Sequence, residues 1–369
     1  MARTLEDLET PCLVLERGRV AANAARLKAH LAGLGVPLRL HVKTAKCLEV
    51  TRLVLGEEKA PITVSTLKEA EQFFDAGYRD ILYAVGFEKH KLPRAQALAA
   101  RGAKLTLLVD SVEAARDIPG FPVLIEIDTD GHRAGVKPGD EAQLVAIARA
   151  LESAGSTAAG VMTHAGGSYN SATIEEIAAI AGQERDGAVA AAQALRRAGF
   201  AAPVVSIGST PTATYARNLA GVTEVRAGVF VFFDLVMAGI DVCRQDDIAL
   251  SVLATVIGHR ADKGWTLIDA GWMATSRDRG TAKQRVDQGY GVVCDADGRP
   301  IADLVVTDAN QEHGIVTSRG GGSIPDLPVG TRLRILPNHA CATGAQHEAY
   351  NVVDGGREVT AVWRRFSGW

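Results

Sequence analysis

Leu40-His41-Val42-Lys43-Thr44-Ala45-Lys46-Cys47 joins the end of an apolar run to the start of a helical pattern. It is the first of a series of such junctions. Outward from it, apolar β-type runs fall at 37–44, 61–66, 80–85, 104–110, 122–128, 159–165, 204–210 and 224–232, and amphipathic helical stretches lie between them. The stretches 140–154 and 174–198 are Ala-rich and place Leu, Ile and Val at the three- and four-residue intervals of one helix face. Gly77, Gly102 and Gly199 supply helix stops. Strands that alternate with helices pair in parallel, because each parallel connection needs a crossover that a helix can cover. Eight such units predict a closed (β/α)8 barrel of the TIM type. A doubly wound open sheet fits less well, given the count and the lack of a phosphate-loop glycine signature.

After about residue 241 the pattern changes. Runs at 251–258, 265–269, 289–294, 301–306, 314–317, 331–336 and 359–363 read as strands. Asp297-Gly298, Gly320-Gly321-Gly322 and Asp354-Gly355-Gly356 separate some of them as turns. No helix is expected there. The predicted organisation is a barrel over 12–240 and a C-terminal all-β domain over 241–369 that takes in residues 1–11.

Composition narrows the class. The chain has 369 residues, 47% hydrophobic and 22% charged, which suits a globular enzyme. A net charge of -3 without a long basic run argues against a nucleic-acid partner. No apolar stretch approaches the roughly 20 residues of a membrane span. Residues 1–10 are polar and acidic and do not read as a signal peptide. Cys12, Cys47, Cys243, Cys294 and Cys341 are scattered and odd in number, so reduced thiols and a cytoplasmic location are expected.

Barrel chemistry lies at the carboxyl ends of the strands. Lys43 falls at the first strand end, Arg133 after the fifth, His164 at the sixth, and Ser209 and Thr210 at the seventh. Arg226 and Gly228 lie in the eighth run. Most lysines are solvated surface groups. Lys43 instead follows a run that should be buried, with Lys46 nearby, and both effects lower an ammonium pKa and free an amine for Schiff-base chemistry. Ile207-Gly208-Ser209-Thr210-Pro211-Thr212 reads either as a phosphate cradle or as a plain turn with an N-cap. Arg133 and Arg226 read either as structural ion pairs or as planar donors to a cofactor. His164 is either a core histidine or a lining of the cofactor face. Far downstream, Pro337-Asn338-His339-Ala340-Cys341 carries two metal-ligand types two residues apart. In an extended chain these point to one side, and imidazole with thiolate favours zinc. A His-x-Cys met at random is more often two unrelated residues.

Taken together, His41-Val42-Lys43-Thr44, the strand-end arginines and His339-Ala340-Cys341 resemble the D-serine dehydratase / D-threonine aldolase family, and the match runs from Thr10-Pro11 to the terminal β segment. Ala45 departs from the histidine that many members carry there, which bears on the pocket beside Lys43. The resemblance implies pyridoxal 5'-phosphate on an alanine-racemase-type barrel, with Lys43 as the Schiff-base lysine. It places Arg133 near the cofactor's phenolic oxygen and Arg226 against the ring nitrogen. Gly208, Ser209, Thr210 and the Gly228 amide would take the phosphate, and His164 and Tyr169 would be further contacts. For a second base from the C-terminal domain, Tyr290 is the nearest candidate. His347 is given no role. The family places a metal at His339 and Cys341. His-x-Cys is the dehydratase form, whereas aldolases carry His-x-Asp, which suits manganese or magnesium. The expected activity is therefore metal-dependent dehydration of a D-3-hydroxy amino acid, either D-serine or D-threo-3-hydroxyaspartate, to a 2-oxo acid and ammonia. A second carboxylate would need an extra cation, for which Arg277 and Arg279 are candidates. The alternatives are a retro-aldol lyase, an amino-acid racemase and a cofactor-carrying binding protein. A homodimer is expected, with no membrane partner.

Overall fold

The computed structural model describes residues 3–322 and 324–369. Strand β1 (Cys12–Glu16) and helix α1 (Arg17–Gly33) come first. The barrel strands follow: β2 (Leu38–His41), β3 (Ile62–Val64), β4 (Asp80–Tyr83), β5 (Lys104–Val109), β6 (Pro122–Ile127), β7 (Thr157–Thr163), β8 (Val204–Ile207) and β9 (Glu224–Ala227). Each of β2 to β8 is followed by a helix: α2 (Leu48–Leu55), α3 (Leu67–Asp75), α4 (Leu92–Ala100), α5 (Val112–Arg116), α6 (Glu141–Ser153), α7 (Ile174–Arg197) and α8 (Thr210–Tyr215). All neighbouring strands run parallel, and β2 pairs with β9, Leu38 opposite Val225 and Arg39 opposite Arg226, to close the barrel.

The turns into the helices are written locally. Thr66, Ser111, Asp140, Thr173 and Ser209 each accept a hydrogen bond from the backbone amide three residues on, which ends the strand-side loop and starts the helix. Leu82, Leu108, Leu124, Ala159 and Met162 form one apolar cluster across the barrel strands. A polar ladder runs beside it. Glu224 and Arg226 share one face of β9 by strand alternation. Glu224 accepts from Arg39 Nε at 2.7 Å and from Ser206 Oγ at 2.6 Å, and Arg39 Nη1 reaches Asp80 Oδ1 at 2.9 Å.

The second unit contains α9 (Leu235–Gly239), β10 (Leu250–Arg260), β11 (Trp265–Ile268), α10 (Trp272–Thr275), β12 (Val292–Cys294), β13 (Pro300–Ala309), β14 (Gly314–Ser318), β15 (Arg332–Leu336), α11 (Ala340–Gly344), β16 (Ala349–Val353) and β17 (Ala361–Arg364). Its strands form a nine-stranded sheet in the order β11-β14-β13-β12-β15-β10-β1-β16-β17, with β11 also paired to β10. Leu5, Leu8, Val14, Leu253 and Val353 make an apolar cluster there. Three strands are further joined by buried Arg334, whose Nη1 lies 2.7 Å from Glu16 Oε1 and whose Nε donates to Ser251 Oγ.

The seven strands expected after residue 241 are present, but β1 and β16 were not foreseen. Cys12–Glu16 runs antiparallel to β10 and parallel to β16, so its apolar run belongs to the second sheet rather than to the barrel. The units divide accordingly. Residues through Ala24 go with Val229–Ser367, and Ala25–Gly228 goes with Gly368–Trp369, rather than the division falling at 12 and 240. The expectation of no helix after 241 also fails, at the one-turn α10 and α11. Among the described residues no helix is long and apolar enough to cross a membrane, and all five cysteines are unbridged.

Candidate active site

Lys43 lies in a turn immediately after β2, whose last residue is His41. The turn is fixed by Val42 N donating to Thr63 O at 3.0 Å and by Lys46 N donating to Val42 O at 2.8 Å. Two expectations about Lys43 are corrected. Its side chain is exposed rather than desolvated. Lys46 does not act on it as an uncompensated cation, because Lys46 Nζ lies 3.2 Å from the buried Glu69 carboxylate. What Lys43 does have is two imidazoles under its charge. Burial first, then the charges of Lys43 and Arg226, hold His41 well below the ordinary histidine value. Burial and Lys43 likewise push His164 down to about 3. Both rings are therefore neutral across the physiological range.

His164 Nδ1 lies 3.0 Å from Gly208 O, so Nδ1 carries the proton and Nε2 is left as an acceptor. The Tyr169 ring stands 6.1 Å away, tilted by 50°. Gly208 is gripped from its other side too, its amide donating to Glu184 Oε1 at 3.1 Å. Its φ is +132°, and a Cβ would sit 2.2 Å from Arg226 O, so only glycine fits. Ser209 then caps α8, with its Oγ 2.9 Å from both Thr212 Oγ1 and Ser168 Oγ, and Pro211 stands in the first turn as expected. Thr210 is buried at the head of that helix. A Cβ on Gly228 would lie 2.9 Å from Thr44 Oγ1 and 3.0 Å from His41 O, so the backbone after β9 approaches the Lys43 turn closely.

The two arginines differ. Arg226 is 3% exposed, donates to Ser206 Oγ at 3.0 Å and to Thr163 O, and is pushed down to about 10 by burial against the pull of Glu224, Glu184 and Glu126. Arg133 is exposed, with Nη2 3.2 Å from the buried Glu126 carboxylate. Lys43, Arg133, His164, Tyr169, Gly208, Ser209, Thr210, Arg226 and Gly228 all lie on or just past β2, β6, β7, β8 and β9. A glycine-lined approach, a hydroxyl-rich helix head and a buried guanidinium fit a planar aldehyde cofactor that bears a phosphate.

His339 and Cys341 are placed differently from the sequence expectation. The chain there is not extended: His339 caps α11 and Cys341 is in its first turn. The two side chains still meet within hydrogen-bonding reach. The Pro337-Asn338-His339 segment is clamped from below. Leu235 N and Val236 N donate to the Pro337 and Asn338 carbonyls, Asn338 Nδ2 donates to Gly289 O at 2.7 Å, and buried Asp234 accepts from Ala340 N at 2.9 Å. His339 Nδ1 lies 2.6 Å from Asp278 Oδ2, which leaves Nε2 as the nitrogen for a metal. Burial opposes charge on His339, but Cys341, Asp278 and Asp234 outweigh it and lift the ring to about 11. The same negative field favours a divalent cation. Among the described residues no three His, Cys, Asp or Glu side chains form a ready-made metal cage. Two protein donors, one nitrogen and one sulfur, fit a metal that keeps open positions.

Three carboxylates that hydrogen-bond to the candidate site residues or their backbone escaped the sequence reading. Asp278 lies in Ser276-Arg277-Asp278-Arg279-Gly280, which drew notice for its arginines. Asp234 had a weak signal as a helix cap before Leu235. Glu184, fully buried on α7, accepts from both Ala165 N and Gly208 N and so ties together the loops after β7 and β8; nothing in its helical setting marked it. Tyr290 lies 5.4 Å from the Arg279 guanidinium. His347 donates through Nε2 to Ala274 O, a structural bond.

Comparison with known proteins agrees with this layout. The family model "Alanine racemase, N-terminal domain" matches residues 15–236, and "Putative serine dehydratase domain" matches 249–353. The chain is 55% identical over 381 aligned residues to D-threo-3-hydroxyaspartate dehydratase of Delftia sp. strain HT23, covering all of both chains. It is 27% identical over 394 residues to D-serine dehydratase of Dictyostelium discoideum, covering 99% of this chain and 98% of the relative. A solved variant of D-threo-3-hydroxyaspartate dehydratase in the metal-free form superposes with a TM-score of 0.97 at 54% identity, over the full length of both. Matched in both its units and aligned end to end with these relatives, the chain belongs to the D-serine dehydratase / D-threonine aldolase family, in which an alanine-racemase-type barrel is joined to a serine dehydratase domain.

Proposed function

We propose that this protein is a pyridoxal phosphate- and metal-dependent lyase that dehydrates a D-3-hydroxy amino acid to a 2-oxo acid and ammonia. When bound, pyridoxal phosphate supplies an aldehyde that condenses with amines and a ring that draws electrons from Cα, and a divalent metal supplies a Lewis acid for a hydroxyl. Lys43 Nζ would hold the cofactor aldehyde, and the same amine, once free, is placed to accept the Cα proton. The electron pair of the Cα–H bond would become the second Cα–Cβ bond, and the Cβ–O pair would leave with the oxygen, which takes the proton that Nζ accepted and departs as water. The released enamine, by way of its imine, then takes up water to give the 2-oxo acid and ammonia.

Other residues of the chain hold or exclude protons. His41 and His164, neutral beside Lys43, leave the amine as the basic group at that strand end. Arg226 would stand toward the ring nitrogen and, keeping its own protons, would leave that nitrogen unprotonated. Gly208, Ser209, Thr210 and the Gly228 amide would receive the phosphate, Arg133 would serve the phenolic oxygen, and Tyr169 would line the face beside His164. His339 Nε2 and Cys341 Sγ would hold the metal, and the pair of donors favours zinc over manganese or magnesium. Asp278 fixes the imidazole.

The observation that carries this assignment is the Asp278–His339–Cys341 arrangement, since racemisation has no use for a metal-ligand pair. The test is an assay of purified protein, supplied with pyridoxal phosphate and zinc, on D-serine, D-threonine and D-threo-3-hydroxyaspartate, with ammonia, 2-oxo acid and glycine measured separately. Ammonia and 2-oxo acid in equal amounts are expected. Glycine as the main product would move the assignment to retro-aldol cleavage.

A further inference from the structure

Two arginines flank Asp278, and their surroundings differ. Arg279 is committed: its Nη2 lies 2.6 Å from Asp287 Oδ2. Arg277 is exposed, and among the described residues no carboxylate lies within ion-pair distance of it. Its guanidinium stands 5.1 Å from the centre of the Trp272 ring. A cation stacked on an aromatic face keeps its edge N–H groups available for a planar anion.

The segment that carries Arg277 is pinned on both sides. Before it, Thr343 Oγ1 donates to Thr275 O at 2.7 Å and His347 Nε2 donates to Ala274 O at 2.9 Å, which ties α10 to the α11 region. After it, Asp278 holds His339. Arg277 therefore sits between two anchors that lead to the two metal-ligating residues.

The chemistry of the substrate class supplies the anion. In a 3-hydroxyaspartate, the leaving hydroxyl and the second carboxylate are on the same carbon. Whatever holds the hydroxyl places that carboxylate two bonds away. Two carboxylates already stand at this site, Asp278 Oδ2 2.6 Å from His339 Nδ1 and Asp234 Oδ2 2.9 Å from Ala340 N, and both repel an anion. A second carboxylate there needs a cation of its own, and D-serine, which lacks that group, does not. We infer that Arg277 receives this carboxylate and selects a dicarboxylic D-3-hydroxy amino acid over D-serine. The inference rests on the dehydratase assignment and adds the substrate class to it.

The experiment compares kcat/KM for D-threo-3-hydroxyaspartate and for D-serine in the wild type, Arg277→Gln, Arg277→Lys and Arg279→Gln, all loaded with cofactor and zinc. Loss of one charge-assisted pair lowers the dicarboxylate value in Arg277→Gln by roughly tenfold to a hundredfold and leaves D-serine within about twofold. Arg277→Lys recovers part of the loss, and Arg279→Gln changes neither ratio. Equal losses on both substrates, no loss on either, or a wild type that prefers D-serine would overturn the inference. A second measurement separates it from the dehydratase assignment. Malate keeps a hydroxyl and a carboxylate on one carbon but has no amine to condense with an aldehyde. Calorimetry with malate on the zinc-loaded protein is expected to show weaker binding in Arg277→Gln by a similar factor, and unchanged affinity counts against Arg277. A wild type that eliminates from neither amino acid but loses malate affinity in the variant sinks the dehydratase assignment and supports anion recognition by Arg277.

Discussion

The two sets of functional residues are built on opposite principles. In the barrel, Arg226, Glu184 and Ser209 are buried and are carried by regular strands and capped helices. In the second unit, the His339 and Asp278 side chains keep 39% and 43% of their exposure and are carried by loops and one-turn helices. A regular scaffold fixes a rigid set that needs little outside help. An irregular one needs carboxylate props, here Asp278 and Asp234, to hold a histidine in place. The first set is suited to gripping a cofactor over many turnovers. The second is suited to a metal with open positions, where a substrate oxygen comes and goes.

The comparison breaks most sharply at Lys43. Lys43→Ala is expected to cut turnover by more than roughly 10²–10⁴-fold, the worth of a positioned base, with no large change in melting temperature, since the side chain is exposed. Residual activity near wild type would remove the amine from the chemistry.

Metal removal should divide the two sets. Chelation is expected to lower ammonia release by roughly a hundredfold or more, while exchange of the Cα hydrogen with deuterated water continues. Loss of exchange along with elimination would mean that the barrel set does not work alone.

The prop is the next target. Asp278→Asn is expected to weaken metal binding by roughly 10- to 100-fold, measured by competition with a chromogenic chelator. Cofactor affinity should stay unchanged, and an unaltered metal affinity would show that His339 needs no orientation.

The smallest effect is on acid stability, and it belongs to the barrel. His164 is held at about 3 in the folded protein against 6.5 in an unfolded chain. The unfolded chain therefore takes a proton that the folded one refuses. Stability from this source is intact above 6.5 and is lost as pH falls from there toward 3. Cofactor-free His164→Gln should show a shallower loss of melting temperature across that window. A slope as steep as wild type would leave His164 out of the acid response.

The same contrast explains what could be read from the sequence. The barrel strands were legible because fully buried parallel strands are apolar runs, and crossover helices repeat between them. Once those were placed, the strand-end rule picked out Lys43, His164, Ser209 and Arg226. The environment of Lys43 was misread, because Glu69, which neutralises Lys46, sits on α3, and only the fold brings it there. Cys12–Glu16 was not read as a strand, and the boundary at 12 put it with the barrel, since its partners at 250–253 and 350–353 are separated from it by the whole barrel. Cys341 could be seen beside His339, but the helix that carries it could not, because five residues give no periodicity. Asp278 and Asp234 stand 61 and 106 positions from their partners, and the helix-cap signal of Asp234 says nothing of the partner.

The most direct test of the central claim is borohydride reduction of the cofactor-loaded protein, followed by protease digestion and mass spectrometry of the lysine peptides. The expected result is one pyridoxyl-phosphate adduct on the peptide that contains Lys43, absent when Lys43 is alanine. An adduct on Lys46 or another lysine with Lys43 unmodified, or no adduct at all, would contradict the account.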